Sequence, residues 1–272
     1  MINFYLQSGE STDLVEIYKY PDGQIGVQVN KNLDLREETC VIHARFNSYA
    51  SIAATLALNQ VLRSRIVSRV ILSAPYILGG RSDRRFNSHG SFDLKIVADM
   101  INSGGFDFVI TTDPHSDVTA ALINKCEVMS AWEGWIEQIN FDWSGVAVIA
   151  PDAGAYKKIM STENSFPHKD KVIGGLKYRD NGTPRITFAG DVKGKHCVII
   201  DDICDGGRTF TSTASALKGA GATKVTLFVT HGIFSNGTVL PEVGEIFTTN
   251  SYRDFVEVQD RSKFHVHNMF TL

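Results

Sequence analysis

The amino-acid sequence predicts an α/β protein with two domains, each a mainly parallel sheet flanked by helices. Short apolar runs typical of buried strands alternate with segments whose apolar residues recur at helical spacing. This alternation occurs twice along the chain, without a low-complexity linker between the two series. We therefore expect an N-terminal domain over residues 1–128 and a C-terminal domain over residues 129–272.

The first series supplies the predicted elements of the N-terminal domain. Helical spacing of apolar residues predicts helices over 51–67 and 92–101. Apolar runs predict the strands, over 26–29, 40–44, 70–73 and 108–112. The last strand ends directly before Asp113 and His115 in the segment TTDPH. Because ligands bind at the carboxyl ends of strands in open α/β sheets, this segment is a candidate site.

The second series supplies the predicted elements of the C-terminal domain. Its strands are predicted over 146–150, 171–177, 197–201 and 224–230, and its helix over 213–219. The strand at 146–150 continues into PDAG, which contains Asp152. A carboxylate again follows the end of a predicted strand.

The segment VIIDDICDGGRTF, residues 198–210, is the most informative part of the chain. Asp201 and Asp202 follow an apolar run, and Gly206 and Gly207 allow a tight turn before the predicted helix. The N-terminus of such a helix attracts an anion. Either half of the segment alone is also compatible with an ordinary strand-to-helix turn. Together they predict a sugar-phosphate site with acidic residues beside it.

The composition excludes several classes of function. The chain has 272 residues, of which 43% are hydrophobic, and a formal net charge of -3, so it has no global attraction to nucleic acid. Its four cysteines lack metal-ligand spacing, which indicates reduced thiols. The N-terminus lacks a signal-peptide pattern, and no apolar run is long enough to span a bilayer. We expect a cytoplasmic protein without nucleic-acid or membrane partners.

Several further segments occur in one order along the chain. They are YPDGQIGVQVN, PYILGGRSDRR, TTDPH, APDAG, KYR, GDVKGK and THGIFS, in addition to DDICDGGRT. With these segments the chain resembles the ribose-phosphate diphosphokinase family from about Tyr20 to Ser235. The resemblance implies two type I phosphoribosyltransferase-like domains. It also implies transfer of the β,γ-diphosphate of ATP to the anomeric hydroxyl of a ribose 5-phosphate unit, with Mg2+ as cofactor. The implied assembly is a homo-oligomer built from dimers, up to a hexamer.

The resemblance also implies roles for individual residues. Lys177 and Arg179 match the catalytic cations of the family's flexible loop. The positions that bind ATP match Tyr20, Asp22, Gln24, Arg81, Ser82, Arg84 and His115. The positions that bind ribose phosphate match Asp152, Asp201, Asp202, Asp205, Gly206, Gly207, Arg208 and Thr209. The positions that hold the metal match His115 and Asp152.

The phosphate loop departs from the family pattern. The family has threonine where Gly206 stands and glycine where Arg208 stands. Loss of a hydroxyl predicts an open edge at Gly206, and Arg208 adds fixed positive charge there. We therefore favour ADP-ribose as the acceptor, giving ADP-ribose diphosphate for NAD synthesis, over free ribose 5-phosphate. Gln24 and Ser82 also depart from the family pattern, so the ATP contacts differ in detail.

Two other classes of function are compatible with parts of the sequence. A type I phosphoribosyltransferase would use the DDICDGG loop with a nucleobase and without ATP. The KYR and THGIFS segments argue against it. A catalytically silent regulatory subunit would lack the loop cations or the metal positions, and this chain has both.

Overall fold

The computed structural model describes residues 1–6, 11–161, 166–180 and 183–270, without the side chains at 177, 179, 180 and 183–185. The chain forms two compact units. The first contains Met1–Met129 together with Ser251–Arg253 and Phe270, and the second contains Ser130–Asn250 and Asp254–Met269. Short C-terminal segments therefore belong to the first unit, whereas the predicted division assigned all of 129–272 to the second.

The first unit is built on a five-stranded parallel sheet. Its elements are β1 (Ile2–Leu6), β2 (Val15–Lys19), β3 (Ile25–Val29), β4 (Thr39–Ala44), α1 (Tyr49–Arg63), β5 (Arg69–Ser73), α2 (Asp93–Ser103), β6 (Phe108–Thr112), α3 (Val118–Leu122) and β7 (Cys126–Met129). The strand order is β1-β4-β5-β6-β7, and β2 and β3 form a separate antiparallel hairpin. Buried faces of α1 and α2 pack with the sheet in one apolar core.

Helix α1 shows how local sequence sets the ends of an element. Ser48 caps its N-terminus. The Ser48 hydroxyl accepts a hydrogen bond from the Ser51 backbone N–H, and the Ser51 hydroxyl accepts one from the Ser48 backbone N–H. The helix ends at Arg63, four residues before the predicted end at 67. Two residues beyond its C-cap Ser64, Ile66 adopts a left-handed φ of 58°, which a helix cannot continue through.

The second unit is built on a seven-stranded sheet in the order β10-β9-β8-β11-β12-β13-β14. Its elements are α4 (Ala131–Gly134), β8 (Val146–Ala150), α5 (Ala153–Met160), β9 (Val172–Asp180), β10 (Thr183–Phe188), β11 (His196–Cys204), α6 (Arg208–Gly219), β12 (Lys224–Gly232), β13 (Glu245–Thr249) and β14 (Phe264–His267). All neighbouring strands are parallel except the β9–β10 hairpin. The predicted fold class, α/β with mainly parallel sheets flanked by helices, is confirmed.

The two faces of this sheet carry different cores. Leu227 and Phe228 are neighbours in β12 and therefore point to opposite faces. Leu227 packs in the cluster that contains the buried residues of α6, including Phe210. Phe228 packs in an aromatic cluster, stacked on Phe247 with ring centroids 4.5 Å apart. Among the described residues, no helix has the length and apolarity needed to cross a bilayer.

Candidate functional site

The segment predicted to bind ribose phosphate runs from the last residues of β11, through the turn after it, into the first turn of α6. Strand β11 is central, paired with β8 on one side and β12 on the other. Gly207 is the N-cap of α6, with a left-handed φ of 74°, and has no side chain to satisfy the first backbone N–H groups. Helix α6 begins at Arg208, five residues before the predicted start at 213. These N–H groups and the helix dipole favour an anion at the turn.

Asp201 and Asp202 lie near the carboxyl end of β11. The backbone N–H of Asp202 donates to Asp201 Oδ1 at 3.0 Å, and that of Ile203 donates to Asp202 Oδ1 at 2.9 Å. The Lys158 ammonium of α5 lies 3.5 Å from Asp202 Oδ2. Burial, followed by the charge of Asp202, raises the pKa of Asp201 well above its usual value, and Asp152 adds to the shift. Three carboxyl groups therefore lie close enough at this edge of the sheet to affect one another.

Asp152 reaches this edge from the neighbouring strand. Strand β8 ends at Ala150, and Asp152 caps α5 by accepting a hydrogen bond from the Ala155 backbone N–H at 3.1 Å. Because β8 is paired with β11, Asp152 and the acid pair belong to the same carboxyl edge. The structure brings these predicted residues together.

The loop after β12 covers the phosphate loop. The Ser235 hydroxyl donates to Asp205 Oδ1 at 2.6 Å, and Asn236 Nδ2 donates to the Gly206 carbonyl at 3.3 Å. A Cβ added at Gly206 would lie 2.9 Å from Asn236 Nδ2, and one added at Gly207 would lie 2.3 Å from Leu240 Cδ2. The Asn236 amide therefore occupies the space beside Gly206 that the loss of a hydroxyl was predicted to leave open.

Sequence reasoning missed Asn236. Its position directly after the THGIFS segment was the available signal. The pairing with Gly206, 30 residues earlier in the chain, becomes visible only in the structure.

Arg208 and Thr209 occupy the first turn of α6. The Arg208 side chain is exposed, so its guanidinium is accessible to an anion. The Thr209 carbonyl accepts a hydrogen bond from the Thr213 hydroxyl at 2.8 Å within the helix.

Lys177 and Arg179 lie in β9, which forms a hairpin with β10 at one edge of the sheet. Their backbones pair with Ile186 and Pro184. The side chains of both cations lie outside the described part of the structure, so their catalytic role stays a prediction.

The predicted ATP-binding loop of the first unit precedes α2. Ser82 anchors this loop, because its hydroxyl accepts from the Asp93 N–H at 3.4 Å and its carbonyl accepts from the Leu94 N–H at 3.3 Å. Arg84 is exposed and lies 5.3 Å from the centroid of the Phe86 ring. Arg81 is also exposed. Ser82 is thus engaged in the hydrogen bonding of the loop, whereas the side chains of Arg81 and Arg84 are both exposed.

His115 lies beside this loop within the same unit. A Cβ built on Gly80 would lie 3.9 Å from the Cβ of His115. The preceding Asp113 has a left-handed φ of 47° and donates its N–H to the Met129 carbonyl at 2.8 Å. The turn after β6 therefore places His115 next to the loop that contains Arg81.

The predicted adenine-contacting segment forms the turn between β2 and β3. The Tyr20 N–H donates to the Gln24 carbonyl at 2.8 Å, and Asp22 Oδ1 accepts from the Gln24 N–H at 3.0 Å. Tyr20 is 44% exposed and packs edge-on against Tyr18 at 5.2 Å. The Asp22 carboxylate therefore stabilises the turn, and an aromatic ring is presented at its tip.

Within the described ranges, no group of three or more His, Cys, Asp or Glu side chains could hold a metal ion by itself. The two predicted metal ligands lie in different units, His115 in the first and Asp152 in the second. The carboxylate oxygens of the second unit are the hard ligands that Mg2+ prefers.

Comparisons with known proteins agree with the predicted resemblance. The model of a family described as "phosphoribosyl synthetase-associated domain" matches residues 146–266. A ribose-phosphate pyrophosphokinase of Agrobacterium fabrum is 25% identical over 261 residues, which cover 92% of this chain and 83% of the relative. A ribose-phosphate pyrophosphokinase of Marinomonas sp. is 28% identical over 225 residues, which cover 81% of this chain and 71% of the relative.

A solved structure extends the comparison to the fold. Phosphoribosylpyrophosphate synthetase from Mycobacterium smegmatis superposes with a TM-score of 0.76 at 19% identity, covering 98% of this chain and 94% of that one. At this identity the match shows the fold. With the sequence matches, it supports the predicted relationship to ribose-phosphate pyrophosphokinases, another name for the diphosphokinases, and the prediction of a diphosphate-transferring enzyme.

Proposed function

We propose that this chain is a ribose-phosphate pyrophosphokinase, which transfers the β,γ-diphosphate of ATP to the 1-hydroxyl of ribose 5-phosphate. One observation carries the proposal: an acid pair lies near the carboxyl end of a central strand, and a glycine turn after that strand leads into the N-terminus of α6. This arrangement suits both ends of a sugar phosphate. The helix N-terminus attracts the 5'-phosphate, and the carboxylates of Asp201 and Asp202 accept hydrogen bonds from ribose hydroxyls.

In the proposed reaction the sugar 1-hydroxyl attacks the β-phosphorus of ATP, and AMP leaves. The phosphate loop and the acid pair hold the acceptor, so that its 1-hydroxyl is oriented for in-line attack. We assign Lys177 and Arg179 to the stabilisation of charge on the transferring diphosphate. Arg81, Arg84 and the aromatic tip at Tyr20 are proposed to bind ATP.

Mg2+ fits the donor set of the second unit. Three carboxylates contribute to this region, and their repulsion is part of the reason that the pKa of Asp201 is raised. A divalent cation would reduce this repulsion, and Mg2+ is commonly held by one or two carboxylates together with substrate phosphates. We propose Asp152 as the residue of this unit that would hold it, and His115 of the first unit stays a predicted ligand. When bound, Mg2+ supplies charge neutralisation for phosphate oxygens.

Ribose 5-phosphate is the acceptor that the phosphate loop supports best. A terminal phosphate needs donors on several sides, and the contact between Asn236 and Gly206 places an amide where an open edge was predicted. The test is AMP release from Mg-ATP in parallel reactions with ribose 5-phosphate and ADP-ribose. We expect turnover with ribose 5-phosphate, and its absence would contradict the proposal.

ADP-ribose is the second candidate acceptor. The exposed Arg208 at the first turn of α6 favours it, because this guanidinium could pair with the second phosphate of ADP-ribose. Turnover with ADP-ribose that disappears in Arg208→Ala would support this candidate. Equal turnover of ADP-ribose in the wild type and in Arg208→Ala would show that Arg208 does not favour this acceptor.

The same assay separates the other two classes of function. A phosphoribosyltransferase would release diphosphate from an activated sugar in the presence of a nucleobase, without consuming ATP. A silent regulatory subunit would turn over neither acceptor, yet would change the rate of an active homologue when mixed with it.

A homo-oligomer is also part of the proposal. The exposed Tyr20 and Tyr18 at the β2–β3 hairpin provide an aromatic surface that a neighbouring subunit could use. Sedimentation of the wild type and of Tyr20→Ala tests it: a monomeric wild type would contradict an assembly built from dimers.

A further inference from the structure

Two loops of the second unit are joined through their backbones. The Cys204 carbonyl accepts hydrogen bonds from the Ile233 N–H at 2.8 Å and the Phe234 N–H at 3.0 Å. The next carbonyl, of Asp205, accepts from the Ser235 N–H at 3.2 Å. These bonds fix the loop after β12 in register with the phosphate loop, so the position of the following residue, Asn236, is determined by the fold.

Asn236 occupies the space that a side chain at position 206 would need. Its Nδ2 lies 2.9 Å from the position of a Cβ at Gly206, closer than real Cβ contacts allow. Gly206 does not have the positive φ that favours glycine. A side chain at 206 would therefore meet no backbone strain but would have to displace the Asn236 amide.

The amide of Asn236 retains hydrogen-bonding capacity at the edge of the loop. Its nitrogen carries two N–H donors, one of which bonds the Gly206 carbonyl at 3.3 Å. Asn236 and Gly206 are both exposed, so this edge faces the solvent from which a ligand would enter. The hydroxyl of Ser235 donates to Asp205 Oδ1 at 2.6 Å, so that donor is already committed.

We infer that Asn236 is a specificity-determining residue for the acceptor. Its side chain closes the phosphate loop at Gly206 and supplies an N–H donor to a terminal phosphate monoester, in place of a side chain at 206 itself. A phosphate that continues into a second phosphate, as in a nucleoside diphosphate sugar, meets the amide at this edge and is disfavoured. The inference rests on the proposed function for its acceptor.

Two substitutions separate the filling of space from the donation of a hydrogen bond. Asn236→Gly opens the edge, whereas Asn236→Asp keeps the size but replaces the donor with a negative charge. We expect Asn236→Gly to raise the KM for ribose 5-phosphate about tenfold, the value of one hydrogen bond. Asn236→Asp is expected to raise it more, because its charge repels the phosphate. The KM for Mg-ATP should change less than twofold in both. Val239→Ala, an exposed change in the same loop, is the matched control.

A compensating pair of substitutions distinguishes this role from a structural one. Gly206→Thr alone is expected to weaken acceptor binding, because its Cβ meets Asn236. In the double variant Gly206→Thr/Asn236→Gly the threonine has room, and we expect it to regain part of the affinity lost in Asn236→Gly. If the losses of acceptor affinity caused by the two single substitutions simply add in the double variant, the inference is contradicted.

Equilibrium binding of ribose 5-phosphate to the full chain, measured by calorimetry beside turnover, separates the two proposals. Binding that Asn236→Gly weakens, without turnover in the wild type, would overturn the proposed function and support the role of Asn236. No binding to the wild type would overturn both. Unchanged affinity in Asn236→Gly and Asn236→Asp, with an unchanged preference between ribose 5-phosphate and ADP-ribose, would overturn the role of Asn236 alone.

Discussion

Removal of the Lys158 ammonium tests the electrostatics of the acid pair. Lys158 Nζ is shielded from solvent and lies 3.5 Å from Asp202 Oδ2, and the Asp202 side chain is only 9% exposed. At an effective dielectric of 20, two unit charges at this distance attract by about 5 kcal/mol. Lys158→Met preserves most of the side-chain volume but leaves Asp202 without this cation.

The net loss of stability should be smaller than the full attraction. Removing the buried ammonium also removes the desolvation cost of that charge, and the Ile203 N–H still donates to Asp202. We expect the free energy of unfolding of the second unit to fall by about 2 to 3 kcal/mol, near the lower limit for breaking a buried ion pair. Lys158→Arg should recover part of this loss.

Tryptophan fluorescence during urea unfolding measures this effect in the second unit alone. All three tryptophans of the chain, Trp132, Trp135 and Trp143, lie in that unit. Lys157→Met, an exposed change at the neighbouring position, is the control. If Lys158→Met is no less stable than Lys157→Met, the ion pair does not stabilise the acid pair as described.

Three further predictions use the same fluorescence measurement. Asp201→Asn should stabilise the second unit by about 1 kcal/mol at neutral pH, because it removes a carboxylate whose pKa is raised by burial and by Asp202. The same variant should bind ribose 5-phosphate more weakly. A less stable variant would argue against repulsion between the two carboxylates. Phe228→Ala should cost about 3 to 5 kcal/mol, since the ring is fully buried and stacked, and a loss below 1 kcal/mol would be inconsistent with this packing. Burial lowers the pKa of His168, His196 and His267, so the unfolded chain binds more protons as the pH falls below about 6.5. These histidines should therefore make the unit less stable at pH 5.5 than at pH 7.5, and replacing all three with glutamine should reduce that difference.

The central parts of both sheets could be predicted from the sequence. The strands at 108–112 and 146–150 have their predicted bounds, because buried parallel strands are continuous apolar runs that need no partner to be recognised. The strands β1, β2, β7, β10, β13 and β14 were missed. They lie at or next to sheet edges, and β7 is largely exposed, so their patterns depend on which neighbours cover them.

The chemistry of the site was more predictable than its shape. The acid pair and the glycine turn are local in sequence, so their positions at the end of β11 and before α6 follow from local rules. The filling of the space beside Gly206 is not local, because Asn236 comes from another loop. The glycine at position 206, where the family has a threonine, therefore suggested an open edge. In the structure the Asn236 side chain lies in that space.

The rate of AMP release from Mg-ATP and ribose 5-phosphate, compared between the wild type and Lys177→Ala/Arg179→Ala, tests the proposed reaction most directly. Circular dichroism should first establish that the variant is folded. If the two cations stabilise the transferring diphosphate, kcat should fall at least about 100-fold, while the affinity for ribose 5-phosphate, bound at the phosphate loop, stays within a few-fold. An unchanged kcat in the folded variant would contradict the proposed roles of these residues.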